Sequence, residues 1–262
     1  EWDERTLYFS PVHHISERVR RGTKPGRTRH HGSGCDGLGD LYRMHIARDR
    51  ETRLLWESCG LATLFETSEA MVASSGGHHV VRALVEFFWD TTNTFHFPWG
   101  EMMVTPTDFS LITGLEFSSV PLPFDGGIDV FSPEVEELLG TIVVRARAEV
   151  ETTQISARKI RRSTLAAALD DDATTREQRV RIFVLMLLSG TFSPDRGSRA
   201  LLYYLPAVRD LRRIGTYDWA SLAYADFVRA LRDSCRHRSF GTNVALSAFW
   251  KVVEVNIIPY KV

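Results

Sequence analysis

Lysine is scarce in this 262-residue chain: Lys24, Lys159, Lys251 and Lys261 are the only four, and every other one of its 32 cations is arginine. Arginine stays protonated and favours bidentate pairing, so the residue type that forms Schiff bases is nearly missing. Cysteine is scarce too. Cys35, Cys59 and Cys235 are odd in number and far apart, the usage of a reducing compartment rather than of a disulfide framework, and a cytosolic or nuclear setting is expected. The longest apolar run, Ile182 to Leu188, falls far short of the roughly 18 to 20 residues of a membrane span, so no membrane partner is expected. Glu1-Trp2-Asp3-Glu4 lacks the basic and then apolar order of a secretory signal. Excess charge of either sign is also missing. With 33 acids against 32 cations the net charge is −1, and any electrostatic partner must be read locally.

Catalytic signatures are missing as well. The phosphate-cradling G-x-x-x-x-G-K-[ST] loop and the G-x-S-x-G elbow of hydrolases do not occur, and no nucleotide-binding loop is expected. His30, His31, Cys35, His45, Cys59, His78 and His79 are not organised by any paired C-x-x-C or H-x-x-x-H spacing. Surface positions explain them better than zinc. No catalytic residue, cofactor or metal is therefore expected, and the lack of a fixed-period repeat argues against a solenoid.

What is present is helical patterning. Residues 18 to 40 mix six cations with six glycines and read as a mobile basic segment, within an N-terminal extension over residues 1–50. From Leu41 apolar residues recur at three- and four-residue steps, and residues 51–262 form the domain proper. A helix is expected over Val80 to Trp89, then a β-hairpin of Thr94 to Phe97 and Met102 to Thr105 around Pro98-Trp99-Gly100-Glu101. Thr105-Pro106-Thr107-Asp108 has the residues of a capping box, opening a helix to about Thr113 that Gly114 ends; Pro121 to Gly127 is a loop. Further helices are expected from Ser132 through Ala148, Arg176 to Ser189 closed by Gly190, Leu201 to Ile214, Trp219 to Arg236 and Val244 to Val255. The fold class is thus mainly α: one compact multi-helix domain with a small β-hairpin, or α+β if the hairpin extends into a sheet.

Glu86 to Leu115 reads EFFWDTTNTFHFPWGEMMVTPTDFSLITGL. This run closely resembles the plant mobile domain family, whose hallmark contains T-x-T-F-H-[LF]-P-x-G-E-M-x-[VI]-T-x-x-D-[VF] and then GL. The matching positions are Thr94, Phe95, His96, Pro98, Gly100, Glu101, Thr105, Asp108 and Gly114, with Trp99 at the variable tip. Phe183 to Phe192, Tyr203 to Leu211 and Tyr217 to Tyr224 resemble later family blocks in order, so the resemblance covers residues 51 to 260. It implies a nuclear plant protein, or one encoded by a transposable element, that acts by binding in transcriptional regulation, transposon silencing and meristem maintenance. The partners it implies are proteins: a phosphatase-like protein or another plant mobile domain protein. Trp99, where a small residue or Cys is usual, and Ala220-Ser221, where Gly-Ser or Gly-Gly is common, lean toward the transposon-associated branch.

The family also carries the label "aminotransferase-like". None of the four lysines follows a strand pattern beside a phosphate cup, so pyridoxal chemistry is not expected. His96 and Glu101 are an acid/base pair only if they meet; alternation in a hairpin instead turns His96 away from Phe95 and Phe97 and leaves Glu101 to accept backbone or Arg hydrogen bonds. Arg158, Lys159, Arg161 and Arg162 are candidates for nucleic-acid or import contact, as are the cations of Arg18 to Arg29. Because Glu149, Glu151 and Asp170 to Asp172 flank the second cluster, a solvated helix face or import is favoured over direct DNA binding. Phe87, Phe88, Trp89, Trp219 and Phe227 read as core, whereas Trp99 at a hairpin tip reads equally as core cap or partner anchor.

Overall fold

An unbroken apolar run can be satisfied only by burial on all sides, and Ile182 to Thr191 is buried without exception. In the computed structural model, which describes residues 37–73, 85–97, 100–153, 155–191 and 199–236, this run lies in a central helix, Arg176–Thr191. Numbering the longer α-helices in chain order, α1 is Arg50–Ser58, α2 Ala62–Ala73, α3 Pro106–Thr113, α4 Pro133–Leu139, α5 Ile142–Thr153, α6 Arg162–Leu169, α7 the central helix and α8 Trp219–Cys235. The α7 helix packs against α1, α4 and α6. Gly190 does not end it, since the helix continues through Thr191. The expected helix Val244 to Val255 and the basic segment before Gly37 lie outside the described residues.

Aromatic rings fill the junction of α7 with the N-terminal elements. Trp56 on α1 stands edge-on to Phe183 of α7 at 5.0 Å, and Phe65 of α2 lies 5.5 Å from Phe183. Tyr42, in a π-helical stretch Tyr42–Ile46, closes the cluster 4.8 Å from Phe65. Leu38 and Ile46 are fully buried in the same core, which therefore reaches into residues read as an extension.

Among the described residues there are also two small antiparallel sheets. The first has the order β1-β2-β3, with β1 Phe88–Trp89, β2 Thr94–Phe97 and β3 Gly100–Met102. Phe88 and Trp89 are thus strand rather than the end of a helix: Phe88 pairs with Phe95 and Trp89 with Thr94. The turn-forming Asp90-Thr91-Thr92-Asn93 cannot extend a helix, and Asn93 adopts the left-handed φ of 58° that Asn tolerates. The second sheet pairs β4, Lys159–Arg161, with β5, Arg199–Leu201.

Two expected helices were revised by single residues. Gly140, at a left-handed φ of 76°, divides the stretch from Ser132 into α4 and α5, and Ser132 makes no side-chain cap bond. Pro206 lacks an N–H and starts a new turn, so Leu201 to Ile214 is β5 followed by short helical turns. Residues 155 to 172, for which no element was expected, contain β4 and α6.

At Thr105 local chemistry suffices. Its Oγ1 accepts from the Asp108 N–H at 3.1 Å and Asp108 Oδ2 accepts from the Thr105 N–H at 2.9 Å, the full capping box at the start of α3. Thr105→Ala is expected to lower stability by about 1 kcal/mol in urea denaturation, and an unchanged midpoint would deny the box any role. Gly114 ends α3 at φ 69°, where a Cβ would stand 2.3 Å from Thr63 Cγ2, so both backbone and space require glycine.

Candidate functional site

The family motif is split across two faces of the β1-β2-β3 sheet. Inward, Phe95 is buried 5.2 Å from Phe88 and stacks with Phe97 at 6.1 Å. Phe97 in turn meets Phe87 at 5.3 Å, yet Phe87 is exposed rather than core. Outward, His96 lies under Trp89, the rings stacked at 4.6 Å and 19°. That stack follows from register: Trp89 opposes Thr94, so His96 is its diagonal neighbour on the same face.

Glu101 sits directly opposite His96 and turns to its own sheet rather than to an arginine. Its Oε2 accepts from Thr94 Oγ1 at 3.4 Å, and its Oε1 lies 3.7 Å from His96 Nδ1. Thr94 Oγ1 is also 3.0 Å from His96 Nε2. Hydroxyl at Nε2 and carboxylate at Nδ1 is the order of a nucleophile triad. However, 3.7 Å exceeds a hydrogen bond, and the Thr94 hydroxyl meets Glu101 directly instead of through the imidazole. The arrangement braces an open surface of rings and polar groups, and Gly100 keeps the β2-β3 connection tight at φ 144°. Pro98 and Trp99 lie outside the described residues.

The sheet is clamped from behind by residues that the sequence did not single out. Arg236, capping the end of α8, donates to both carboxylate oxygens of Asp90 at 2.9 and 2.7 Å, and the two side chains are only 10% and 4% exposed. One turn earlier Arg232 Nε donates to Asn93 Oδ1 at 2.8 Å. Both arginines therefore grip the β1-β2 turn. The local signal was the i, i+4 spacing of Arg232 and Arg236, but nothing in the chain names partners some 140 residues away. Two family blocks also touch: the Tyr224 hydroxyl donates to the Val104 carbonyl at 2.9 Å, and its ring meets Phe109 at 5.5 Å.

The second candidate group is not a helix face. Lys159 and Arg161 belong to β4, Arg158 precedes it, and Arg162 opens α6. Arg161 Nε lies 3.9 Å from Glu149 Oε2, and the other oxygen of Glu149 accepts from Thr164 Oγ1 at 2.6 Å.

Among the described residues, the other reactive groups do not assemble. Burial pushes the thiols of Cys59 and Cys235 up to about 12, far from a thiolate nucleophile. His45 approaches Asp170 at 3.4 Å, burial holding its pKa below the usual value, and no group of three metal-ligating residues occurs among the described residues. One glycine spacing departs from the expectation of no nucleotide loop: Gly32, Gly34 and Gly37 fit G-x-G-x-x-G. Of these only Gly37 is described, beginning a helical turn, and the spacing alone is a weak signal. Among the described residues no helix is long and apolar enough to cross a membrane.

The sequence model of the plant mobile domain matches residues 64–257. The chain is 30% identical over 231 residues to Protein MAIN-LIKE 1 of Arabidopsis thaliana, covering 87% of this chain and 43% of the relative. Identity to Protein MAINTENANCE OF MERISTEMS of the same plant is 26% over 248 residues, 93% of this chain and 49% of the relative. A Serine/threonine-protein phosphatase 7 long form homolog, also from Arabidopsis thaliana, is 28% identical over 153 residues, 58% of this chain and 11% of the relative. The chain thus spans less than half the length of each of these three relatives. No solved structure matches.

Proposed function

The chain belongs to the plant mobile domain family, and from that membership we propose that it is a non-catalytic protein-interaction module of a plant nuclear or transposon-encoded protein. The single observation that supports this most is the outward face of the motif: Trp89 stacked on His96, flanked by Thr94 and Glu101, on a sheet anchored by Phe95 and the buried Asp90–Arg236 pair. A half-exposed aromatic held rigid by its neighbours loses little entropy on docking, which is the property of an interface anchor. The name of one relative suggests the setting, meristem maintenance; transcriptional regulation and silencing, and a phosphatase-like protein or a second plant mobile domain protein as partner, are what the family resemblance implies. The transposon-associated alternative rests on Trp99 and Ala220-Ser221 alone.

Purified chain mixed with the MAINTENANCE OF MERISTEMS protein, or with the phosphatase homolog, is expected to elute as a complex with one of them. His96→Ala/Glu101→Arg should weaken that complex at least tenfold at an unchanged melting temperature. If neither mixture associates, or the variant binds as wild type does, the reading fails. Turnover of an amino-acid or phosphate-ester substrate, abolished by the same variant, would overturn its non-catalytic half.

A further inference from the structure

Antiparallel pairing of β4 with β5 places Arg199 directly opposite Arg161. Directly opposed residues share a face, and like charges there repel, so this pair weakens the ribbon unless an anion lies between them. Alternation along β4 puts Lys159 on that same face, while Ile160 and Ala200 point into the core at 1% exposure each. The buried Nε of Arg199 has no hydrogen-bond partner.

A second element adds to the same field. Arg161 is the N-cap of α6 and offers no side-chain cap, and Arg162 is its first residue. Cations are disfavoured at a helix N-terminus, where the backbone already carries partial positive charge, so strand and helix here raise one positive potential together. The acids Asp170 to Asp172 follow the far end of α6, about 12 Å away along its axis. Glu149 is the carboxylate beside Arg161 and is already held by Thr164. Exposed Arg145 lies one turn from Glu149 on the same side of α5, whereas Glu151, two residues on, faces elsewhere. A solvated helix face would carry its acids interleaved with its cations; this surface has drawn the cations together and left most of the flanking acids behind.

We propose that this surface binds the phosphate backbone of nucleic acid, with Arg161 and Arg199 at its centre and Arg145, Arg158, Lys159 and Arg162 around them. Its cations come from four elements, α5, β4, α6 and β5, which suits a run of phosphates; a single phosphoserine, with at most two charges, would meet only part of it. Direct contact to phosphates carries no base preference, so the binding is sequence-independent and strongly salt-dependent.

Fluorescence anisotropy of the full chain with a labelled random-sequence 20-base-pair duplex tests this. Binding at 50 mM salt should fall steeply by 200 mM, and Arg161→Ala/Arg199→Ala should weaken it at least tenfold and reduce the log–log salt slope by about 2. Glu149→Gln, which keeps an acceptor for Thr164 and removes the competing charge, should tighten binding severalfold, a gain that a purely structural role would not produce. Should the double variant melt early, Arg158→Ala/Lys159→Ala serves in its place, with a weakening of threefold or more. The duplex assay contains no protein partner and the complex assay no nucleic acid, so failure here is separate from failure of the protein-interaction reading. No binding at 50 mM salt, an unaltered affinity in the arginine variants, or complete competition by a phosphoserine peptide at equal phosphate concentration would overturn the proposal.

Discussion

Asp90→Ala is expected to cost the domain about 3 to 5 kcal/mol in urea denaturation, because it leaves the Arg236 guanidinium buried without its carboxylate. Arg236 is 10% exposed and spends two hydrogen bonds, at 2.7 and 2.9 Å, on the two oxygens of Asp90. Water cannot replace that partner without opening the contact between β1 and the end of α8. The loss would also be felt at the motif, since Asp90 follows Trp89 and the turn it begins ends at Thr94. Arg236→Ala should cost a similar amount. The double variant should lose markedly less than the sum of the two, as interacting partners do. Additive losses would show that the two side chains act independently, and a cost under about 1 kcal/mol would mean that the pair is no better than a surface bridge.

Trp56→Ala is the other large effect, about 3 to 5 kcal/mol, as for other large-to-small changes at a fully buried aromatic. Trp56 is 1% exposed and makes edge contacts with Phe183 at 5.0 Å and Phe65 at 5.9 Å. Its removal takes away transfer energy and ring-to-ring attraction and leaves a void between α1 and α7, elements that other contacts hold in place. Trp56→Phe should recover part of the loss, because a smaller ring still occupies the site. A small cost for Trp56→Ala would mean that α1 collapses onto α7 and that the core is looser than its burial suggests.

Much of the candidate site was legible in the chain, and the legible parts share one property: their partners lie within four residues. The capping box of Thr105 and Asp108, the stop at Gly114, the span of α8 and the burial of α7 all depend on short-range geometry or on an apolar run that admits one solution. Motif identity belongs here too, since the match from Glu86 to Leu115 is a property of the string. Phe88-Trp89 misled because the same apolar residues fit a helix stripe and a half-buried strand, and only pairing with Thr94 and Phe95 chooses between them. Strand β4 was hidden because Lys159-Ile160-Arg161 carries more charge than apolar surface; its strand character comes from Arg199 to Leu201 on the other side.

By itself, then, the sequence determined a mainly helical domain of the plant mobile domain family, its central helix, its cap, and a turn with a glycine at Gly100. Tertiary structure decided which groups meet: Trp89 on His96, Glu101 turned to Thr94, Asp90 locked to Arg236, and Arg199 set against Arg161. The physical reason is range. Backbone preference and side-chain spacing act over a turn of helix or a step of strand, whereas charge pairing and ring stacking need atoms within a few ångströms whatever their separation along the chain, and only the packed fold supplies that closeness.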